Sequence, residues 1–317
     1  EKDFGKRLLD AGADPTGKTP SDDAFAKVMY GMTAAAVEAA VRAAQSGDKD
    51  ALAKLLPPPD PKDKKKRKRL RRPGFDVPAG TFLLTRTLHL EAGNNRLVGA
   101  GPGKTTLKFK GDIVGLKQWQ RGFIGNLTVD AGTTGLAITG ADHHGRGGAF
   151  TKSYIAGQIY YNITFRNQSF AGIHVGNSDP AVVGGAEFDQ NSFINLNFYH
   201  TGDYGIYMNN NMTDKWLCTG GEFVGQKKAG ISINFNNLIH GGVFGATFKD
   251  IDGPGIDFMG GNPQLAFRPY VTMVDQCEFI ECGNAVRPAV DYGNGELTSF
   301  TRCRIITRHK KVKHGLV

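Results

Sequence analysis

"GGEFVGQKKAGISI", residues 220–233, is matched 25 residues further on by "GATFKDIDGPGIDF", residues 245–258. Each stretch has a Phe and, seven residues later, a Gly-Ile that opens a short apolar strand. The same pair occurs as Phe165 with Gly172 and as Phe198 with Gly205, so the Phe positions 165, 198, 223, 248 and 279 are separated by 33, 25, 25 and 31 residues. A weaker copy, "NLTVDAGTTGLAI", precedes them at 126–138; "NAVRPAV" at 284–290 arrives slightly early, and "SFTRCRI" at 299–305 begins another. Repeats of this length built from strand and turn define a solenoid in which each copy is one coil. A propeller blade would need about 40 residues or more per unit. The pattern therefore predicts an all-β fold, a right-handed single-stranded parallel β-helix, with equivalent residues stacked in columns about 4.8 Å apart.

Before the coils the texture is helical. Residues 21–45 open on Ser21 and Asp22 and run into Ala-rich sequence, which predicts one helix, and residues 48–56 predict a second short one stopped by Pro57, Pro58 and Pro59. A single domain over 1–317 follows, made of an N-terminal strand and capping α-helices (1–56), a Pro-rich basic loop (57–74) and the coils (75–317). In "KDKKKRKRLRRP", residues 62–73, nine Lys and Arg less Asp63 give +8 of the chain's net +9. The excess charge is local. It has neither interleaved aromatics nor a folded face, which argues against nucleic acid and for a solvated loop or a contact with an anionic polymer. No apolar run reaches about 18 residues, so no membrane span is expected. Cys218, Cys277, Cys282 and Cys303 show no metal-ligand spacing, and the common offset of Cys277 and Cys303 predicts a stacked buried thiol pair. Asn-x-Ser/Thr matches at Asn126, Asn162, Asn167 and Asn211 carry no weight in so Asn-rich a chain.

Two further stretches carry a family likeness. "DFGKRLLDAGADPTGKTPSDDAFAK" at 3–27 resembles the N-terminal signature of pectate-lyase-superfamily β-helix proteins, in which an Asp-Phe-Gly strand, a Gly-Asp turn and a Ser-Asp-Asp cap lead into a helix. "VPAGTFLLTRTLHLEAGNNRLVGAGPGKTTLK" at 77–108 is similar to the family segment that follows. The resemblance implies a secreted, extracellular, cell-surface or periplasmic protein that cleaves an acidic, uronic-acid-containing polysaccharide as a lyase or a hydrolase, with substrate on the Gly-Ile face. Neither the Asp-pair, Gly-His-Gly and Arg-x-Lys pattern of polygalacturonases nor the dense Asp cluster of calcium-dependent pectate lyases is present.

Alternation along a Gly-Ile strand turns every second residue outward. The predicted outward column is Ala137, His174, Tyr207, Ser232, Asp257 and Arg287; the next holds Gly176, Asn209, Asn234, Met259 and Ala289. A lyase needs a base beside the uronate carboxylate and a positive partner, Ca²⁺ or Arg, to neutralise it. His174 or Tyr207 fits the base and Arg287 or Arg268 the partner, whereas hydrolysis would draw on Asp252 and Asp257, with Asp203 in reserve. Against these stand bland readings: an Asp257–Arg287 surface ion pair, and a His174–Tyr207 cross-coil stack with an asparagine ladder starting from Asn209 and Asn234. Two excursions from the coil pattern add candidates for binding substrate, "ADHHGRGGAF" (141–150) with His143, His144 and Arg146, and "MGGNPQLAFRPY" (259–270) with Arg268 and Tyr270. The rival class is a non-catalytic β-helix for assembly, adhesion or tailspike-like glycan binding. The sequence stops soon after a coil begins, so self-association or a C-terminal partner that covers the open end is expected.

Overall fold

The computed structural model describes residues 4–45, 74–90, 95–118, 122–138, 154–176, 187–209, 212–233, 241–258, 272–284, 290–291 and 299–308, with single residues 48, 288 and 312. The basic run and the predicted helix over 48–56 lie outside these, apart from residue 48. Every described strand pairing is parallel, and an eight-stranded sheet takes its strands in strict chain order from Leu88–His89 to Val290–Asp291. A sixteen-stranded sheet and a short three-stranded one complete the coils. This is the single-stranded parallel β-helix the repeats predict, and right-handed winding is the hand parallel crossovers take.

The Phe…Gly-Ile repeat has a packing cause. The rings of Phe165, Phe198, Phe223, Phe248 and Phe279 stack up the interior with centroids 5.2, 4.6, 4.7 and 5.0 Å apart. Each ring lies against the glycine of the coil before it. A Cβ added at Gly135, Gly172, Gly205, Gly230 or Gly255 would come within 2.4–2.6 Å of Phe165, Phe198, Phe223, Phe248 or Phe279 respectively. Side-chain volume spent on the Phe is thus removed at the Gly, which keeps the interior at close-packed density. The Leu or Ile that follows each Gly is fully buried, as at Leu136, Ile173, Ile206 and Ile231.

The sixteen-stranded sheet folds over at a corner that demands a left-handed backbone. Asn126, Asn162 and Asn195 take φ of 53, 52 and 52° there, and in later coils Gly220, Gly245, Gln276 and Arg302 take 64, 63, 54 and 51°. Asn tolerates this region and can bond along the column. The Asn162 amide donates to the Asn126 side-chain oxygen at 2.9 Å, and the Asn195 amide to that of Asn162 at 3.0 Å. An asparagine ladder therefore runs at this corner, and two of the sequon asparagines belong to it; of the pair from which a ladder was expected, Asn234 lies outside the described residues and the Asn209 side-chain oxygen meets His174. At the next corner the backbone ladder opens and buried glutamines bridge it. Gln226 donates to the carbonyls of Phe198 and Val224, both at 3.1 Å.

Two N-terminal expectations change. Phe4–Asp10 is a helix, α1, rather than a strand, because Phe4 and Leu8 share one face and pack on the first coil, Phe4 4.9 Å from Phe75. The strand that opens the sheet is Thr16–Pro20, paired with Gly80–Leu84. Residues 21–45 form two helices, α2 (Asp22–Tyr30) and α3 (Ala34–Gln45), bent by 61°. Gly31 ends α2 with φ 70°, and Asp23 accepts the N–H of Ala34 at 2.8 Å, so one side chain of α2 caps α3. Asp22 accepts the N–H groups of Thr85 and Arg86, which seats α2 on the coils, and Phe25 meets Phe82 edge-on. Among the described residues no single helix is long and apolar enough to cross a membrane.

Candidate functional site

The ladder register places Ala137, His174, Tyr207, Ser232 and Asp257 at equivalent positions of successive coils. That much of the predicted column stands. Its last member is a correction: Asp291, not Arg287, is the register partner of Asp257. Val290 follows Phe279 by eleven residues, whereas Ile256 follows Phe248 by eight, so the last turn is three residues longer than the repeat implies. Arg287 itself lies outside the described residues, as do Asn234, Arg268, Tyr270, His143, His144 and Arg146.

A second correction concerns exposure. His174, Tyr207, Ser232 and Asp257 are 3, 9, 0 and 2% exposed, so the column is covered rather than solvent-facing. Alternation fixes the side of the strand from which a residue leaves. It does not say whether something lies above it. The inward neighbours Ile173, Val175, Ile206 and Met208 belong to the hydrophobic core and the column residues do not, so the assigned sides hold.

His174 and Tyr207 form the centre of a dense polar and aromatic group. The His174 Nε2 lies 2.8 Å from Oδ1 of Asn209, which is fully buried. With an amide oxygen as acceptor, it is Nε2 that donates in this contact. The His174 and Tyr207 rings are 5.5 Å apart, and Tyr204 stacks on Tyr207 at 4.6 Å. Phe170 stands edge-on to His174, Tyr204 and Tyr207 at 5.9, 5.6 and 5.6 Å. Beyond Tyr204, Lys228 Nζ lies 5.7 Å from its ring centroid and pairs with Asp203 at 2.8 Å. Half-buried Phe170 and Tyr204 form the edge of this group, and Ser232, with no partner for its buried hydroxyl, lies one coil from Tyr207.

Of the reserve carboxylates, Asp203 is held by Lys228 at that edge, while Asp252 is exposed in the turn ahead of Asp257, its N–H bonded to the Gln226 carbonyl. Phe170, Tyr204 and Lys228 were not among the sequence candidates. The available signal was their place immediately before the Gly-Ile strands, where one aromatic or charged residue per coil would line the same border. Among the described residues no cluster of three or more His, Cys, Asp or Glu is arranged to hold a metal ion.

The cysteines are structural. Cys277 is fully buried and Cys303 half-buried on the next coil, each thiol donating to backbone carbonyls such as those of Asp275 and Thr301. Burial pushes the Cys277 thiol up to about 11 and Cys218 higher still, which leaves both inert at neutral pH.

Fold and site together define a parallel β-helix with a His/Tyr-centred group on its Gly-Ile face. No protein-family model matches the chain, and no curated protein matches it in sequence. Among solved structures the chain is similar to a protein of Geobacillus virus E2, ORF18, at 13% identity, over 93% of this chain and 47% of that one, with a TM-score of 0.49. It is also similar to the catalytic unit of a thermostable GH87 α-1,3-glucanase from Streptomyces thermodiastaticus (14% identity, 98% and 57% covered, TM-score 0.46). A third is the A-module of a mannuronan C-5 epimerase from Azotobacter vinelandii (14% identity, 98% and 96% covered, TM-score 0.34). The chain spans about half the length of the first two. Values this low assign neither a family nor an activity, and the fold rests on the strand pairing above.

Proposed function

We propose that the chain acts on a polysaccharide laid across its Gly-Ile face, with His174 and Tyr207 as the proton-transferring pair. The observation that carries this reading is their juxtaposition. The His174 imidazole, with its Nε2 against the Asn209 amide oxygen, lies 5.5 Å from a tyrosine on the next coil, inside a covered group where water is scarce. One ring nitrogen and one phenol on the same side of a stacked sheet suit removal of a proton beside a uronate carboxylate and its delivery to the leaving oxygen. His174 would take the proton and Tyr207 would donate one. The bond between that carbon and the leaving oxygen's carbon becomes the double bond of the product. Phe170 and Tyr204 give a sugar ring an apolar surface at the edge of the site, and the Lys228–Asp203 ion pair gives its hydroxyls a polar border. The burial of His174 requires the face to open when substrate enters.

A second reading rests on a different observation. Asp257 stands in the same column as His174 and Tyr207, and its backbone register partner on the next coil, residue 291, is also an aspartate, so the chain supplies at this level the two acidic residue types that glycoside hydrolysis requires. One assay separates the two. The full chain is incubated with uronate and neutral polysaccharides while ultraviolet absorbance of a conjugated double bond and release of reducing ends are followed together. Absorbance rising with reducing ends supports elimination at His174 and Tyr207. Reducing ends without absorbance moves the chemistry to Asp257. Absence of both across a broad panel contradicts an enzymatic role and favours a non-catalytic glycan-binding or assembly protein.

A further inference from the structure

The first arm of the large sheet, ahead of the asparagine corner, presents another outward surface with different chemistry. Register stacks Phe123, Ile159, Ser192, Leu217, Gly242 and Met273 in one column. The column beside it, two residues along each strand, runs from Gly125 through Tyr161 and Ile194 to Thr219 and Phe244. Ile159, Tyr161, Leu217 and Met273 are 42, 41, 37 and 44% exposed, the largest exposed apolar group among the described coils. Charge stops at its ends. Arg96, paired with Asp76, bounds one column, and Asp275, paired with Arg302, bounds the other; no side chain between them is charged at neutral pH.

Two glycines flatten this surface. A Cβ at Gly125 would lie 2.9 Å from the Phe123 ring, and one at Gly242 2.3 Å from the Phe244 ring. Each Phe therefore lies down over a glycine two positions away on its own strand, with one ring face on the sheet and the other turned outward.

An exposed apolar strip of this kind calls for a partner, and its shape decides which. Five coil-to-coil steps make it about 24 Å long, and two columns two residues apart make it about 7 Å between column centres. The covered area is on the order of 300 Å², well under the roughly 800 Å² that each subunit contributes to a stable interface. A second copy would find too little to hold. A single extended polymer fits the length and width, and flat uncharged rings match the C–H faces of sugar rings without drawing an acidic chain. We propose that this strip is a binding track for a neutral polysaccharide running along the helix axis. It is separate from the Gly-Ile face, and it does not depend on the chemistry proposed there.

The test measures binding rather than turnover. Full-length protein and the double variant Tyr161→Ala/Leu217→Ala are co-sedimented with insoluble glucans, chitin and a uronate gel, and their masses in solution are measured by light scattering over a range of concentrations. Both residues are exposed, so the variant should melt within a few degrees of the parent; should it unfold, Tyr161→Ala alone gives the same comparison. The parent should bind at least one neutral polysaccharide, the variant should bind it about ten-fold more weakly, and both should be monomers. Three results would overturn the inference: no neutral polysaccharide retained by the parent, equal retention by parent and variant, or a parent dimer that the variant abolishes. The last would make the strip a contact between copies.

Discussion

Two faces of one coil, the Gly-Ile strands and the Tyr161 arm, obey the same alternation and the same stacking distance but present opposite chemistry. On the first, His174, Tyr207, Ser232 and Asp257 are polar and covered; on the second, Ile159, Tyr161, Leu217 and Met273 are largely apolar and exposed. The interior they share is uniform, a phenylalanine stack set against glycines. Function in this architecture is therefore written on outward columns, and the scaffold constrains only the inward ones. A polar group that is buried and a hydrophobic group that is not are each more informative than the core between them.

The strongest way to break the comparison is to remove the chemistry from one face alone. His174→Ala should lower turnover of a polysaccharide substrate by roughly 10²–10⁴-fold, as loss of a positioned acid–base group does, and should leave binding to the apolar strip intact. Kinetics on the substrate found in the panel, with co-sedimentation beside it, check both halves. Phe223→Ala attacks what the faces share. Truncating a fully buried ring should cost about 3–5 kcal/mol in denaturant unfolding and weaken both activities together. Gly205→Ala is smaller and one-sided. Its methyl would meet the Phe223 ring at 2.5 Å and the Gly230 carbonyl at 2.6 Å, so a cost of about 1–3 kcal/mol is expected, with the shift confined to the strand that carries Tyr207. Thermal melts and near-ultraviolet circular dichroism would show it.

The remaining prediction concerns a third face, beyond the asparagine corner, where ion pairs replace both chemistries. Tyr199 donates to Glu222 at 2.7 Å, and burial, then that bond and the nearby charge, push its phenol up to about 12. A phenol whose folded value is raised stabilises the fold fully below its unfolded value near 10, and that stability is lost as pH rises through about 12. Alkaline unfolding should therefore show a component between those limits that Tyr199→Phe removes, while neither of the other faces responds.

How much of this was readable beforehand follows from which contacts leave a trace in spacing. The fold was legible because Phe and Gly are coupled by direct packing: Phe223 excludes any side chain at Gly205, so the pair recurs wherever the coil does. His174, Tyr207, Ser232 and Asp257 could be aligned for the same reason. Arg287 was misplaced because "NAVRPAV" has no glycine to mark the strand and its turn is longer. Burial of the column could not be read, since it depends on what lies above the strand rather than on the strand's own period. Phe4–Asp10 is a helix because its apolar residues suit the first coil, a contact made with Phe75 far along the chain. The ladder of Asn126, Asn162 and Asn195 was not legible because residue type alone does not show which corner needs a positive φ.

The most direct test of the central claim removes one oxygen. Tyr207→Phe keeps the ring that stacks on Tyr204 and faces His174, so the fold should be unchanged and the melting temperature should stay within a few degrees. If the Gly-Ile face carries out proton transfer, formation of the unsaturated product should fall by roughly 10²-fold or more in this variant. An undiminished rate in a properly folded Tyr207→Phe protein would contradict that claim and take the chemistry away from this pair.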